Sequence, residues 1–331
     1  MRITTNSQAA TYQSNLFQVQ ERVDNNNQRI ATGKDIIRIA DAPGRIVDIQ
    51  QLTTHIERNS QYKKSMQEAT GELLTVEASL EAFSSKLSDI RDIVLKGSET
   101  SNTDKLPVLA NQIQQLLTDM VKEANHDYDG RFTFAGTMTT PASIVPTPPQ
   151  VTKEPFELIQ GAKTSANPSG LQVVFKGNFQ DRVINKSATS TEVVNSKADA
   201  AFGAGGVEVF EIAIKMINHL QYRADGSSRT TNELFNTAEQ RTLQGYTSEL
   251  FGIIQKVDEE IGRVGGRISR LNALTDQITT ENTNLGELRS QSEDTNMPEA
   301  ILQLKKNENA LQYSLQIGAR LFGQSLLDFL R

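Results

Sequence analysis

Ten apolar residues, Tyr62, Met66, Ala69, Leu73, Val76, Leu80, Phe83, Leu87, Ile90 and Val94, succeed one another at gaps that alternate between four and three. Only an α-helix gathers that spacing onto one face, and a stripe of that length must lie along another helix. Gly97 marks its end. A partner of similar reach stands much later in the chain, where Leu250, Val257, Val264, Leu271, Ile278 and Leu285 are seven apart. Ile254, Ile261 and Ile268 widen that second stripe, so its helix is expected to bury against more than one neighbour. Gly262, Gly265 and Gly266 lie inside it and each costs about 1 kcal/mol relative to Ala, which predicts close helix contact or a kink.

The two ends carry the same period in weaker form. Met297, Leu304, Leu311 and Gly318 interleave with Ile301, Glu308, Leu315, Phe322 and Phe329. At the start, Ala9, Leu16, Val23 and Ile30 interleave with Tyr12, Val19 and Asn26. Each stripe needs a partner, so the terminal helices are expected to pair, with Gly318 a place where another backbone comes close. Isolated helices of about 30 residues with one narrow stripe are marginal in water. The seam residues are Ala9, Leu16, Val19, Val23 and Ile30 with Ile301, Leu304, Leu311, Leu315, Phe322, Leu326 and Phe329. Gly33 is placed as a helix stop, Asp41 as an N-cap and Pro43 in a first turn; Asn296 and Glu299 form a capping pair around Pro298.

A further helix is expected over 106–124 on Leu106, Leu109, Ile113, Leu116 and Met120. Then six of the nine prolines fall between Pro141 and Pro168, and helical spacing gives way to strand spacing at 131–135, 171–175 and 191–195. Helical spacing resumes at Val207, Phe210, Ile214 and Ile217. The fold class expected is mainly α with an inserted β-rich domain, built of nested antiparallel long helices with the terminal helices paired as a coiled coil. Three divisions follow: a terminal core of 1–40 and 294–331, a long-helix bundle of 41–136 and 207–293, and an inserted outer domain of 137–206.

Composition narrows the chemistry. The 331 residues contain no Cys and no Trp, which removes disulfides and thiolate sites and fits long helices packed through aliphatic side chains. A net charge of -6 gives no overall case for nucleic acid; Arg263, Arg267 and Arg270 share one helical face and are expected in salt bridges or solvent. The start of the chain lacks a secretory signal, and no run approaches the roughly 18 apolar residues of a membrane span, which alone would place it in the cytoplasm without membrane insertion. The histidines, His55, His126 and His219, are far apart, with His55 expected packed or partly solvated and 126–129 expected as a polar turn. Asp258, Glu259 and Glu260 are adjacent helical residues expected on a solvated face. No catalytic, cofactor or metal site is expected, and no enzyme.

Four segments resemble the flagellins and their relatives: the opening Met1-Arg2-Ile3-Thr4; Arg29 to Pro43, with Ala42 where the family has a second Asp; Asp129 to Thr137; and Ala310 to Arg320 with the tail Ser325 to Leu330. Val174 to Asn178 matches more loosely. The segment 129–137 and the tail are similar to hook-filament junction members of that family rather than to filament-forming ones. This resemblance implies an extracellular axial protein of the bacterial flagellum, exported unfolded by the type III apparatus with a chaperone and without a cleaved signal. Its implied partners are its own copies in a ring, hook-associated protein 1 and flagellin. It also implies that the seam residues of the terminal helices form an assembly interface completed by neighbouring copies. Flagellin itself is the first alternative, and a non-flagellar coiled-coil secretion-tip or signalling protein the second.

Overall fold

The computed structural model describes residues 2–38, 40, 42–98, 106–230, 233 and 235–329, with the side chains of 2–6, 8 and 321–329 outside that description. Asp41, the expected N-cap, lies outside the described residues. The chain divides into two compact units, residues 61–278 and residues 1–60 with 279–331. Two long helices, α2 (Pro43–Ser98) and α6 (Thr237–Glu293), contribute to both.

Within residues 61–278, the predicted stripe of α2 is the core. Nine of its ten residues are buried, from Met66 to Val94, and Tyr62 packs against them half-buried. Leu250, Val257, Val264, Leu271 and Ile278 of α6 are buried in the same cluster. The two helices run antiparallel, since Ser84 bonds Asp258 at 2.9 Å while Met66, earlier in α2, meets Thr275, later in α6. The glycines of α6 differ from expectation: Gly262 and Gly266 face open space, and only Gly265 has a close neighbour, the Glu77 carboxylate.

Helix α3 (Leu106–Ala124) has the predicted bounds and packs on α5 (Glu208–Gln221). Its buried face is Leu106, Leu109, Ala110, Ile113, Leu117, Met120, Val121 and Ala124, so Leu117 takes the fully buried place expected of Leu116. Six short strands form three separate antiparallel hairpins: β1 (Asp127–Tyr128) with β2 (Arg131–Phe132), β3 (Phe156–Gln160) with β4 (Leu171–Phe175), and β5 (Val183–Ser187) with β6 (Ser190–Val193). The strand expected at 171–175 is β4, the one expected at 131–135 is shortened to β2 (Arg131–Phe132), the one expected at 191–195 is shifted to β6, and β3 and β5 are additional. The polar turn at 126–129 proves to be the first hairpin, with Asp129 (φ 52°) and Gly130 (φ 72°) both left-handed as a tight I′ turn requires.

The hairpins share the helical core. Phe83 of α2, Phe134, Phe156 of β3, Phe202 of the short helix α4 (Ala198–Phe202) and Phe210 of α5 meet with ring centroids 4.8–5.7 Å apart. Such aromatic pairs add about 0.5–1.5 kcal/mol each beyond area burial. The arginine stripe of α6 reaches the last hairpin: Arg270 pairs with Glu192 at 3.0 Å, and Arg267 donates to the Asn195 carbonyl at 2.7 Å. Arg263 pairs with Glu260 at 2.8 Å. Glu260 corrects the expectation of a solvated acidic face, because it is 1% exposed and also accepts from Ser196 at 2.7 Å. His55 also departs from expectation, being exposed.

In the other unit, α1 (Arg2–Thr32) packs along α7 (Met297–Phe329). Gly33 (φ 72°) ends α1, with its N–H bonded to the Arg29 carbonyl at 2.9 Å. The N–H of Glu299 bonds the Asn296 side chain at 3.4 Å and starts α7 as anticipated. The fold is therefore mainly α with small antiparallel sheets and a paired set of termini.

Candidate assembly interface

The terminal pair is built from a seam that is only partly covered. Val19 is buried, and Ala9, Leu16, Val23 and Ile30 of α1 are half-buried. On α7, Leu304 and Leu311 are half-buried, while Ile301 and Leu315 are 48% and 51% exposed. Phe322, Leu326 and Phe329 belong to α7, with their side chains outside the described residues. Ala300, which the spacing did not single out, is buried where α7 begins.

Close approach does occur at Gly318, and the group that approaches is a side chain. The Tyr12 hydroxyl donates to the Ser314 carbonyl at 2.8 Å, and a Cβ on Gly318 would overlap it. Periodicity placed Tyr12 and Gly318 on facing stripes but could not show that one ring needs the other's missing Cβ.

A polar clasp closes the far end of this pair. Asp35 and Thr295 exchange backbone bonds with the opposite segment, Asp35 N–H to the Glu293 carbonyl at 2.7 Å and Thr295 N–H to the Gly33 carbonyl at 2.8 Å. Lys34 pairs with Asp294 at 2.8 Å and Glu293 at 3.2 Å. The Asp294 hydrogen bond, aided by Glu293 and opposed by burial, holds the Lys34 ammonium above its ordinary range, and Lys34 with Ser290 holds Asp294 below its own. Asp35 accepts from both Arg29 and Arg45, the latter at 2.8 Å. Arg29 to Asp35, the first part of the segment that resembles the family's turn, thus ties the end of α1 to the α6–α7 connection. Apolar spacing carries no signal for these polar contacts.

Beside the clasp lies a groove of about 420 Å³, lined by Arg22, Asn25, Asn26 and Arg29 of α1 and by Lys306 and Asn307 of α7. Asn26 is 5% exposed, and its side-chain amide nitrogen is buried with no hydrogen-bond partner. A buried donor left so costs roughly 1–3 kcal/mol.

Within residues 61–278, the two loops that carry the remaining resemblance meet each other. Asn178 exchanges side-chain bonds with Thr137, accepting from its N–H at 3.0 Å and donating to its hydroxyl at 2.7 Å. Gly136 (φ 65°) gives Asn178 room that a Cβ would fill. Next to this junction, Lys176 and Glu157 form an ion pair at 2.7 Å with both side chains under 7% exposed. Burial pushes Glu157 up, but bonds from Lys176 and the Val151 and Thr152 N–H groups outweigh it and hold it below the ordinary carboxylate value.

A second polar cluster surrounds Arg229, 1% exposed, which pairs with Glu233 at 3.2 Å and with Glu239 and lies 4.8 Å over the Phe235 ring. His219 stacks on the same ring at 5.2 Å and bonds the Glu239 carbonyl; burial, with Arg229 adding to it, holds its pKa below the ordinary value. Among the described residues no group of three His, Cys, Asp or Glu side chains could hold a metal ion, and no helix is long and apolar enough to cross a membrane.

Residues 3–139 match the family described as the bacterial flagellin N-terminal helical region. No curated protein matches the chain by sequence. In fold it is similar to a putative flagellar hook-associated protein from Vibrio parahaemolyticus, at 18% identity and a TM-score of 0.60, over 77% of this chain and 100% of that one. It is also similar to flagellar hook associated protein-3 from Legionella pneumophila, at 13% identity and a TM-score of 0.56, over 74% of this chain and 97% of that one.

Proposed function

We propose that this chain, whose residues 3–139 match the bacterial flagellin N-terminal helical region and whose fold is similar to that of hook-associated proteins, is a member of the flagellin family that joins the hook to the filament. Its role in the flagellum is structural, not enzymatic. In this reading copies close into a ring, with hook-associated protein 1 on one side and the first flagellin subunits on the other. The chain reaches that place by type III export with a chaperone and without a cleaved signal. Residues 1–40 and 294–331 polymerise, the helices of 41–136 and 207–293 form the next layer, and 137–206 face outward.

One observation carries the reading. Among the described residues the terminal pair leaves Phe17, Met297, Ile301, Leu302, Tyr313, Leu315 and Ile317 exposed, seven large apolar side chains on two helices. Burying each fully against neighbouring copies would contribute about 1.5–3 kcal/mol. A flagellin-type chain that keeps such residues on a marginal helix pair is suited to fold fully only in an assembly.

A second reading, a filament subunit, fits the family match over 3–139 equally well. Deleting the gene and viewing cells by electron microscopy separates the two. The junction role predicts complete hooks without filaments and flagellin released into the medium. Bare hooks with no flagellin released would favour the filament subunit, and filaments of normal length would overturn both.

A further inference from the structure

Helix α7 leaves two apolar strips uncovered, on different sides of its axis. Successive residues turn by about 100° around a helix. Ala300, Leu304, Leu311 and Gly318 therefore share the side that packs on α1, and all four are buried or half-buried. Met297, Ile301 and Leu315 form a first strip along the edge of that seam, 39–51% exposed. Leu302, Tyr313 and Ile317 form a second strip on the far side, 54–65% exposed. The two strips stand about 150° apart around the axis, so no single neighbouring helix covers both.

The strips match each other in length and charge. Each is interrupted near its middle by one charged residue, Glu308 in the first and Lys306 in the second. Glu308 bonds Lys305 at 2.8 Å and stays 43% exposed, while Lys306 is exposed with no ion-pair partner among the described residues. At a rise of about 1.5 Å per residue, Ile301 and Leu302 stand at nearly one height, and Glu308 and Lys306 differ by about 3 Å. Leu315 stands midway between Tyr313 and Ile317. Two parallel copies of α7 set side by side without axial shift thus bring apolar to apolar and acid to base over about 20 Å. A slip of one heptad would seat Glu308 on Tyr313 and Ile317 instead, desolvating a charge without a partner.

We infer that the Met297–Ile301–Leu315 strip of one copy docks on the Leu302–Tyr313–Ile317 strip of the next, helix beside parallel helix, with Glu308 facing Lys306. This rests on the reading that copies assemble, and it names the surface that joins them. Because the two strips differ, the contact is head-to-tail rather than two-fold. Each copy uses one strip on each neighbour, which permits a ring and excludes a closed dimer.

Sedimentation velocity of the purified full chain and its variants tests this. The wild type should associate beyond a dimer. Ile301→Asp with Leu315→Asp disables the first strip, and Leu302→Asp with Ile317→Asp disables the second. All four positions are exposed, so both double variants should keep the wild-type melting temperature. Each alone should lose about tenfold or more in association constant, because a charge replaces apolar contact. Mixed, the two should form a one-to-one complex and stop there, since each keeps the strip that the other has lost. Glu308→Lys should weaken wild-type association about fivefold, and adding Lys306→Glu should restore part of that loss. Either double variant assembling alone, a mixture without a complex, or a wild type that stays monomeric would overturn the inference. The deletion phenotype reads the junction role and the mixing experiment reads the strips, so each can fail alone.

Discussion

Two helix pairs in this molecule begin from the same sequence signal and end in different states. The stripe of α2 from Met66 to Val94 is buried throughout, together with its counterpart on α6. The stripes of α1 and α7 alternate similarly, yet Ile301 and Leu315 are exposed and most of the rest half-buried. The difference is one of neighbours. Between residues 61 and 278, α3, α5 and the phenylalanine hub cover what α2 and α6 leave open, whereas α1 packs chiefly on α7. A four-three pattern specifies which face seeks burial, and other elements decide whether burial is completed in one chain.

The contrast can be broken at its strong side first. Phe83→Ala removes a ring at the centre of the hub and should cost about 3–5 kcal/mol, read as a lower denaturation midpoint. Leu315→Asp, on the weak side, should change the stability of the dilute chain by no more than about 0.5 kcal/mol and yet abolish filament attachment. Equal destabilisation by the two would erase the distinction.

Gly318→Ala should displace Tyr12 and loosen the terminal pair, with proteolysis near the ends rising while residues 62–94 stay protected. Tyr12→Ala should make the Gly318→Ala change nearly neutral, because the two share one contact. Tyr12→Phe alone loses one hydrogen bond, worth about 0.5–1.5 kcal/mol.

The smallest effect is pH-dependent and falls on the well-buried unit. His219 is held below its ordinary value of 6.5, so the unfolded chain binds that proton more readily and stability falls as pH drops below 6.5 toward the folded value. Glu157 and Glu239 are held below 4.5, so their contribution is full above that value and is lost as pH falls through the lower folded values. His219→Gln should remove the upper part of this loss in thermal melts taken from pH 7 to pH 5.

How much was legible follows from the same contrast. The long helices and the pairing of the termini could be read because each rests on a repeated local spacing, and the capping pair Asn296–Glu299 because it spans three residues. Strand β3 was missed since Phe156 to Gln160 has no clean alternation, and Phe156 is held by aromatic neighbours from α2, α4 and α5 by way of the hub. Glu260 was misplaced for a similar reason: its burial depends on Ser196 and Arg263 rather than on its own position in the helical period. At the candidate interface, the apolar positions came from spacing, but the Tyr12–Gly318 contact and the Lys34–Asp294 clasp came from partners hundreds of residues away.

The central claim is that the terminal pair is incomplete in a single chain and is completed by other copies. Amide hydrogen exchange on the dilute full chain tests it most directly, comparing residues 9–30 and 300–320 with residues 62–94. The account predicts fast exchange in the terminal helices, slow exchange in α2, and terminal protection that rises on assembly. Terminal amides as slow as those of 62–94 in the dilute chain would contradict it.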